Sequence, residues 1–153
     1  MKYLLTIIML NILCASGQIS TPQKIASSIT VGKIAPMGAF VAELSYRLNE
    51  ADSKDTTYIL SFNNLKFKHI DVIESVSFSG VNNTVNELYK VFKSVFTDEN
   101  KKNKDYIVNF TLGKDAVAIS NTKAMGVTSA MFLVKDAYFT LTEKQVDKLF
   151  GRN

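Results

Sequence analysis

NTVNELYKVFKSVF, residues 83–96, is the stretch whose reading decides the fold. Val85, Leu88, Tyr89, Phe92, Val95 and Phe96 recur at three- and four-residue steps and share one side of a 3.6-residue helix, with Val91 at its margin. Asn86, Glu87, Lys90, Lys93 and Ser94 take the other side. Thr84 and Glu87 have the S/T-x-x-E spacing of a capping box, in which hydroxyl and carboxylate satisfy two backbone donors at a helix start. A helix with one apolar side needs a partner layer, and the flanking sequence supplies strands.

Upstream, Phe40, Ala42, Leu44, Tyr46 and Leu48 alternate with Val41, Glu43, Ser45 and Arg47, the period of a half-buried strand. After a polar turn over residues 49–55, Tyr58, Leu60 and Phe62 alternate again and predict an antiparallel partner. Asn63-Asn64 tolerates left-handed backbone and is read as a hairpin corner leading into residues 65–68, the alternative being one long bent strand. Val72, Val76 and Phe78 mark a further strand ending at Gly80.

Downstream, residues 98–105 (DENKKNKD) form a solvated connection. Tyr106, Val108, Phe110 and Leu112 alternate, and Gly113-Lys114-Asp115 turns the chain into a strand over residues 116–120. Residues 121–128 read as a loop, and residues 131–141 as one strand, bent or bulged near Lys135-Asp136. Thr142 and Gln145 form a second capping box, Leu141 and Val146 sit where a hydrophobic staple would, and Gly151 is placed to end the helix.

The fold class expected is α+β: an antiparallel sheet of about six strands with two helices packed on one face. The two halves loosely echo each other as a βββα pseudo-repeat. The domain reading is a leader over residues 1–17, a loosely defined arm over 18–37 with room for a short strand, and one α+β domain over 38–153.

The leader rests on a basic start at Lys2, a nearly continuous apolar run over residues 3–13, and the small residues Ala15 and Gly17 before Gln18. Cleavage is expected between Gly17 and Gln18. The run is shorter than the ~20 residues that cross a bilayer, so no stable transmembrane anchor is expected after cleavage. Cys14 follows Leu13, where a lipoprotein box would have a small residue. Cleavage would remove Lys2 and the only cysteine, taking the formal net charge from +4 to +3 and leaving a disulfide-free chain. The expected setting is periplasmic or secreted.

Chemistry is sparse. His69 is the only histidine in 153 residues, and with Asp71 or Glu74 and Ser75, Ser77 or Ser79 it supplies the residue types of a hydrolase, the alternative function considered. No nucleophile elbow frames those serines. One histidine and no mature cysteine exclude the ordinary zinc frameworks. The carboxylates at Asp52 and Asp55, and at Asp98 and Glu99, lack calcium-loop spacing. Gly113-Lys114 lacks the upstream glycine of a phosphate loop. No catalytic residue, cofactor or metal is therefore assigned. Two sequons, Asn82-Asn83-Thr84 and Asn109-Phe110-Thr111, matter only in a glycosylating pathway.

Lys101-Lys102-Asn103-Lys104 and Lys66-Phe67-Lys68 are basic clusters, the first diluted by Asp98, Glu99 and Asp105. They do not amount to a nucleic-acid surface. Ser75, Ser77 and Ser79, with Ser45, Arg47, Ser61 and Asn63, predict a polar sheet face of small side chains. The function expected is a non-enzymatic binding module that meets an envelope or extracellular protein through this open face or its loops, alternatively an accessory or structural protein of the cell envelope.

Overall fold

The computed structural model describes residues 27–48 and 56–152. The leader with its Gly17–Gln18 junction, Cys14, residues 18–26 of the arm and the polar turn over 49–55 lie outside these residues.

The described chain runs β1 (Ile29–Ile34), β2 (Ala42–Leu48), β3 (Thr56–Asn63), β4 (Ile73–Ser79), α1 (Thr84–Ser94), β5 (Ile107–Leu112), β6 (Asp115–Ala124), β7 (Val127–Val134), β8 (Ala137–Leu141) and α2 (Glu143–Leu149). The strands form two antiparallel four-stranded meanders in chain order, β1-β2-β3-β4 and β5-β6-β7-β8. The α+β class stands, and the single six-stranded sheet is corrected to two sheets of four. Each half reads ββββα, one strand longer than the repeat expected from sequence.

The extra strands come from corners that carry little turn signal. Residues 121–128 are not a loop: β6 continues to Ala124, and Met125 (φ 49°) and Gly126 (φ 81°) turn it directly into β7. Positive φ at both central residues is what a tight type I′ hairpin needs. Residues 131–141 are likewise two strands, folded back at Lys135 (φ 52°) and Asp136. In the arm, residues 29–34 form β1. Thr30 lies opposite Ser45 and Gly32 opposite Leu44, so Val31 is an extra bulged residue, and the bulge breaks the alternation that would have revealed the strand.

One core joins everything. Leu44, Leu60, Phe62, Val76 and Phe78 from the first sheet meet Ile119, Phe132, Phe139 and Leu141 from the second, with Leu88 and Phe92 of α1 and Val146 and Leu149 of α2. Phe62 stacks on Phe139 with ring centroids 4.7 Å apart, and Phe92 lies 5.9 Å from Phe132 and 5.7 Å from Phe150. The apolar side expected of α1 is the buried one. Val95 and Phe96 stay buried although the helix proper ends at Ser94.

The helix starts differ from each other. The Thr84–Glu87 capping box does not form. Asn82 and Asn83 take left-handed backbone in a short 3-10 turn, so Thr84 is already helical (φ −49°, ψ −38°) and its hydroxyl donates to the Val81 carbonyl at 2.5 Å. A capping hydroxyl needs extended backbone at its own residue. Glu87 pairs with Lys90 instead, at 2.7 Å. Thr142 does have that extended backbone (φ −72°, ψ 164°), and the Thr142–Gln145 box forms, with the Thr142 N–H donating to Gln145 Oε1 at 2.8 Å. Leu141 and Val146 are both fully buried at the staple positions. At the other end Gly151 (φ 65°) donates to the Lys148 carbonyl and Arg152 to that of Asp147, the two bonds of a Schellman stop.

α2 reaches back to the first sheet. A Cβ placed on Gly32 would run into the Lys148 and Leu149 carbonyls, so only glycine lets β1 lie against the end of this helix. Among the described residues no helix is long and apolar enough to cross a membrane.

Candidate binding surface

Asn63 and Asn64 do not close a hairpin into residues 65–68. They fasten a longer loop, residues 64–72, between β3 and β4. Asn64 is only 3% exposed. Its Oδ1 accepts from the Lys66 N–H (3.1 Å) and the Tyr138 N–H (3.3 Å), and its own N–H donates to the Val72 carbonyl (2.8 Å). Asn63 Nδ2 donates to Asp71 Oδ1 at 2.6 Å, and Asn63 Oδ1 accepts from the Val72 N–H at 3.2 Å. The Leu65 N–H donates to the Tyr138 carbonyl at 2.9 Å, which covers part of the open edge of β8. A loop whose ends meet and whose polar groups are paired internally holds its shape.

That loop presents apolar side chains to water. Leu65, Phe67 and Ile70 are exposed, Ile70 by 63%, and Ile73 at the start of β4 is exposed beside them in the chain. Lys66 reaches Asp136 of the β7–β8 turn at 3.4 Å. The β1–β2 turn leaves the first sheet at this same end of the meander, and its Met37 is fully exposed. Two open concavities flank Phe67. One of about 270 Å³ runs between Lys66, Ser75 and Asp136, and one of about 390 Å³ between Leu65, His69 and Ile70.

Register brings the residues of the polar face read from the sequence to one side of the sheet, but Ser45, expected to be open to solvent there, is buried. Register places Ser45 beside Ile59 and Ser77, Ser61 beside Glu43 and Ser75, and Arg47 beside Thr57 and Ser79. Ser75, Ser77 and Ser79 all face solvent on β4. Asn63, expected on this face, is instead spent on closing the loop. Glu43 holds Thr30 (3.0 Å) and Lys33 (3.2 Å) of β1.

The residues of the hydrolase reading are close in sequence but not joined as a triad: His69 and Asp71 line one open concavity and Glu74 and Ser75 the other. His69 lies exposed in the loop, and no hydrogen bond among the described residues joins it to Asp71, Glu74 or the three serines. Asp71 is engaged by Asn63. Glu74 shares the inward-pointing register of Phe62, and the serines point the other way. The described residues contain no group of three or more His, Cys, Asp or Glu side chains able to hold a metal ion.

Shifted titrations occur elsewhere, between the helices. Lys93 of α1 bonds Glu143 (2.7 Å) and Asp147 (3.1 Å) of α2, and the Tyr89 hydroxyl donates to Asp147 at 2.9 Å. Burial alone would lower the Lys93 pKa, but the two carboxylates outweigh it and raise it. Burial and the Asp147 carboxylate raise that of Tyr89. Arg152 covers the Tyr89 ring at 4.0 Å. This is a clamp between the two helices. The pattern NTVNELYK hinted at Tyr89 only as a core residue, because its partner Asp147 is far away in the chain.

No family model matches the chain, and comparison with curated proteins and with solved structures gives no match.

Proposed function

We propose that this protein is a non-enzymatic binding module. Its 64–72 loop, continued by the hydroxyl-rich face of the first sheet, receives a protein partner in the envelope or outside the cell, the setting the leader implies. The observation that carries the reading is the loop itself. Internal hydrogen bonds through Asn63 and Asn64 keep Leu65, Phe67 and Ile70 facing water, with Ile73 of β4 exposed beside them in the chain. A contiguous apolar patch held rigidly at the surface marks an interaction site more often than an accident of folding. Lys66 and Lys68 alternate with the apolar residues and give the patch a basic rim. The serine face beside it has side chains too short to obstruct a flat partner.

A photo-crosslinking residue at position 67, with a second at Lys144 on α2 as control, tests this in cells of the source envelope. A discrete adduct at 67, absent at 144 and lost with Ile70→Asp, is the expected outcome. Equal labelling at both positions would dispose of the reading.

A further inference from the structure

The basic stretch Lys101-Lys102-Asn103-Lys104 folds against the β6–β7 hairpin, and there Lys123 joins it. These four lysines, with Asn121, Thr122 and Thr128, line an open concavity of about 440 Å³. Asp98, Glu99 and Asp105 belong to the same connection but do not line it. None of the four lysines forms an ion pair among the described residues. The sequence suggested a diluted charge run, yet the concavity itself is lined by the lysines alone among its charged residues.

The connection is also fixed in place. Asn121 Nδ2 donates to the carbonyls of Asn100 (2.5 Å) and Asn103 (2.7 Å). Asn100 Nδ2 donates to the Ser94 carbonyl at 2.7 Å, and the Lys101 N–H to that of Thr97 at 2.9 Å. The ammonium groups therefore stand on a scaffold rather than on a free tail.

A second observation adjoins the first. Lys123 pairs with Thr128 and Ala124 with Val127, so the hairpin ends in Met125-Gly126 just beyond the lysines. Met125 is 104% exposed and Val127 53%. Met125 occupies left-handed backbone (φ 49°) that asparagine, aspartate or glycine adopts more readily. Neither the turn nor the core explains an unbranched apolar side chain at this tip.

We propose that this end of the second sheet docks on an anionic lipid surface, with the four lysines on the headgroups and Met125 entering the apolar layer beneath them. A nucleic acid fits less well. No lining residue is aromatic, so there is no platform for a base, and a polyanion in the concavity would leave Met125 in water. The site is separate from the partner loop. Successive turns of a meander alternate ends, so the β6–β7 tip lies opposite the β5–β6 and β7–β8 turns, and the 64–72 loop packs beside the latter. A molecule docked by its lysine end would hold the partner loop away from the bilayer.

Each lysine near an anionic leaflet strengthens partitioning about fivefold, so four give on the order of several hundredfold, weakened by added salt. The test is co-sedimentation of the full chain with vesicles of phosphatidylcholine alone or mixed with phosphatidylglycerol. Every variant is identical outside the substituted positions, so the comparison reads the lysine end. Salt-sensitive binding to the anionic vesicles is expected. The variant K101Q/K102Q/K104Q/K123Q should fall to the phosphatidylcholine level. Met125→Asn, which suits the left-handed backbone and leaves the fold intact, should lose about tenfold. The equal charge change at the opposite end, K66Q/K68Q/K114Q/K135Q, should keep most of the binding. Three outcomes would each overturn the proposal: no preference for anionic vesicles, equal loss in the two quadruple variants, or binding to heparin or a single-stranded oligonucleotide in place of vesicles.

Discussion

α1 and α2 close the two ββββα halves at matching places in the chain, and they are held there by different means. α1, eleven residues long, begins on left-handed Asn83 without a side-chain cap and depends on Leu88 and Phe92 in the core. α2 has seven residues, too few to persist alone, and carries both a capping box and a Schellman stop. A longer amphipathic helix gains enough from burial to do without a side-chain cap at its start, although its last carbonyl still accepts from Asn100 Nδ2. A shorter one needs its end groups satisfied as well, since their unpaired donors and acceptors are a larger share of its backbone.

The largest effect expected from this contrast lies at Phe92. Its ring is fully buried and contacts Phe132, Phe139 and Phe150, which places it against the second sheet and the end of α2 together. Phe92→Ala should cost about 3–5 kcal/mol by loss of transfer energy and creation of a cavity. That is a large part of the 5–15 kcal/mol typical of a domain. Denaturant unfolding measures it. A loss below about 1 kcal/mol would mean that burial is not what holds α1.

How much of this was legible in sequence follows from the range of each signal. The face of α1, the caps of α2 and the serine face are periodic or adjacent patterns, and all three are present in the structure. The division into two sheets was not legible. It depends on β4 and β5 failing to pair across the 97–106 connection, a long-range fact with no local mark. The turn at Lys135 was missed because its left-handed residue is not the asparagine or glycine that normally announces such backbone, and at Met125-Gly126 the glycine marks only the second of the two left-handed positions. Thr84–Glu87 shows the reverse failure. The motif is intact, but the preceding Asn82 and Asn83 move the helix start so that the threonine is inside it. At the candidate surfaces, Lys66-Phe67-Lys68 and Lys101-Lys102 were visible. Asn64 as a hub and Lys123 as a fourth lysine were not, because each is joined to its cluster through space: Asn64 to Tyr138, and Lys123 to the lysines at 101–104.

The caps give the next effect in size. Thr142→Ala removes half of a formed box and should cost about 1 kcal/mol. Thr84→Ala removes only an exposed hydroxyl bond inside the helix and replaces threonine with the best helix former, so its change should stay within about 0.5 kcal/mol. The same sequence motif would thus be worth different amounts at its two occurrences. Equal losses in thermal or denaturant unfolding would break the distinction drawn between the two helices.

The smallest expected effect concerns the clamp that joins them. Lys93 sits 2.7 Å from Glu143 and 3.1 Å from Asp147, with its side chain 29% exposed, so solvent screens the pair and its worth should be under about 1 kcal/mol. Its folded pKa is raised above the ordinary lysine value, because the two carboxylates outweigh burial. The proton is therefore held more tightly in the native state. The stabilisation is complete at neutral pH, begins to fall once pH passes the ordinary lysine value, and is gone when pH has climbed through the raised native value. Tyr89 is raised as well and loses stability in the same direction, so the comparison belongs in a Tyr89→Phe background, where no phenol titrates beside Asp147. There, Lys93→Met should be less stable than its parent at pH 7, with the gap closing only in strongly alkaline solution. A gap already closed at pH 7, or one that stayed open in strongly alkaline solution, would mean that the raised lysine is not what links α1 to α2.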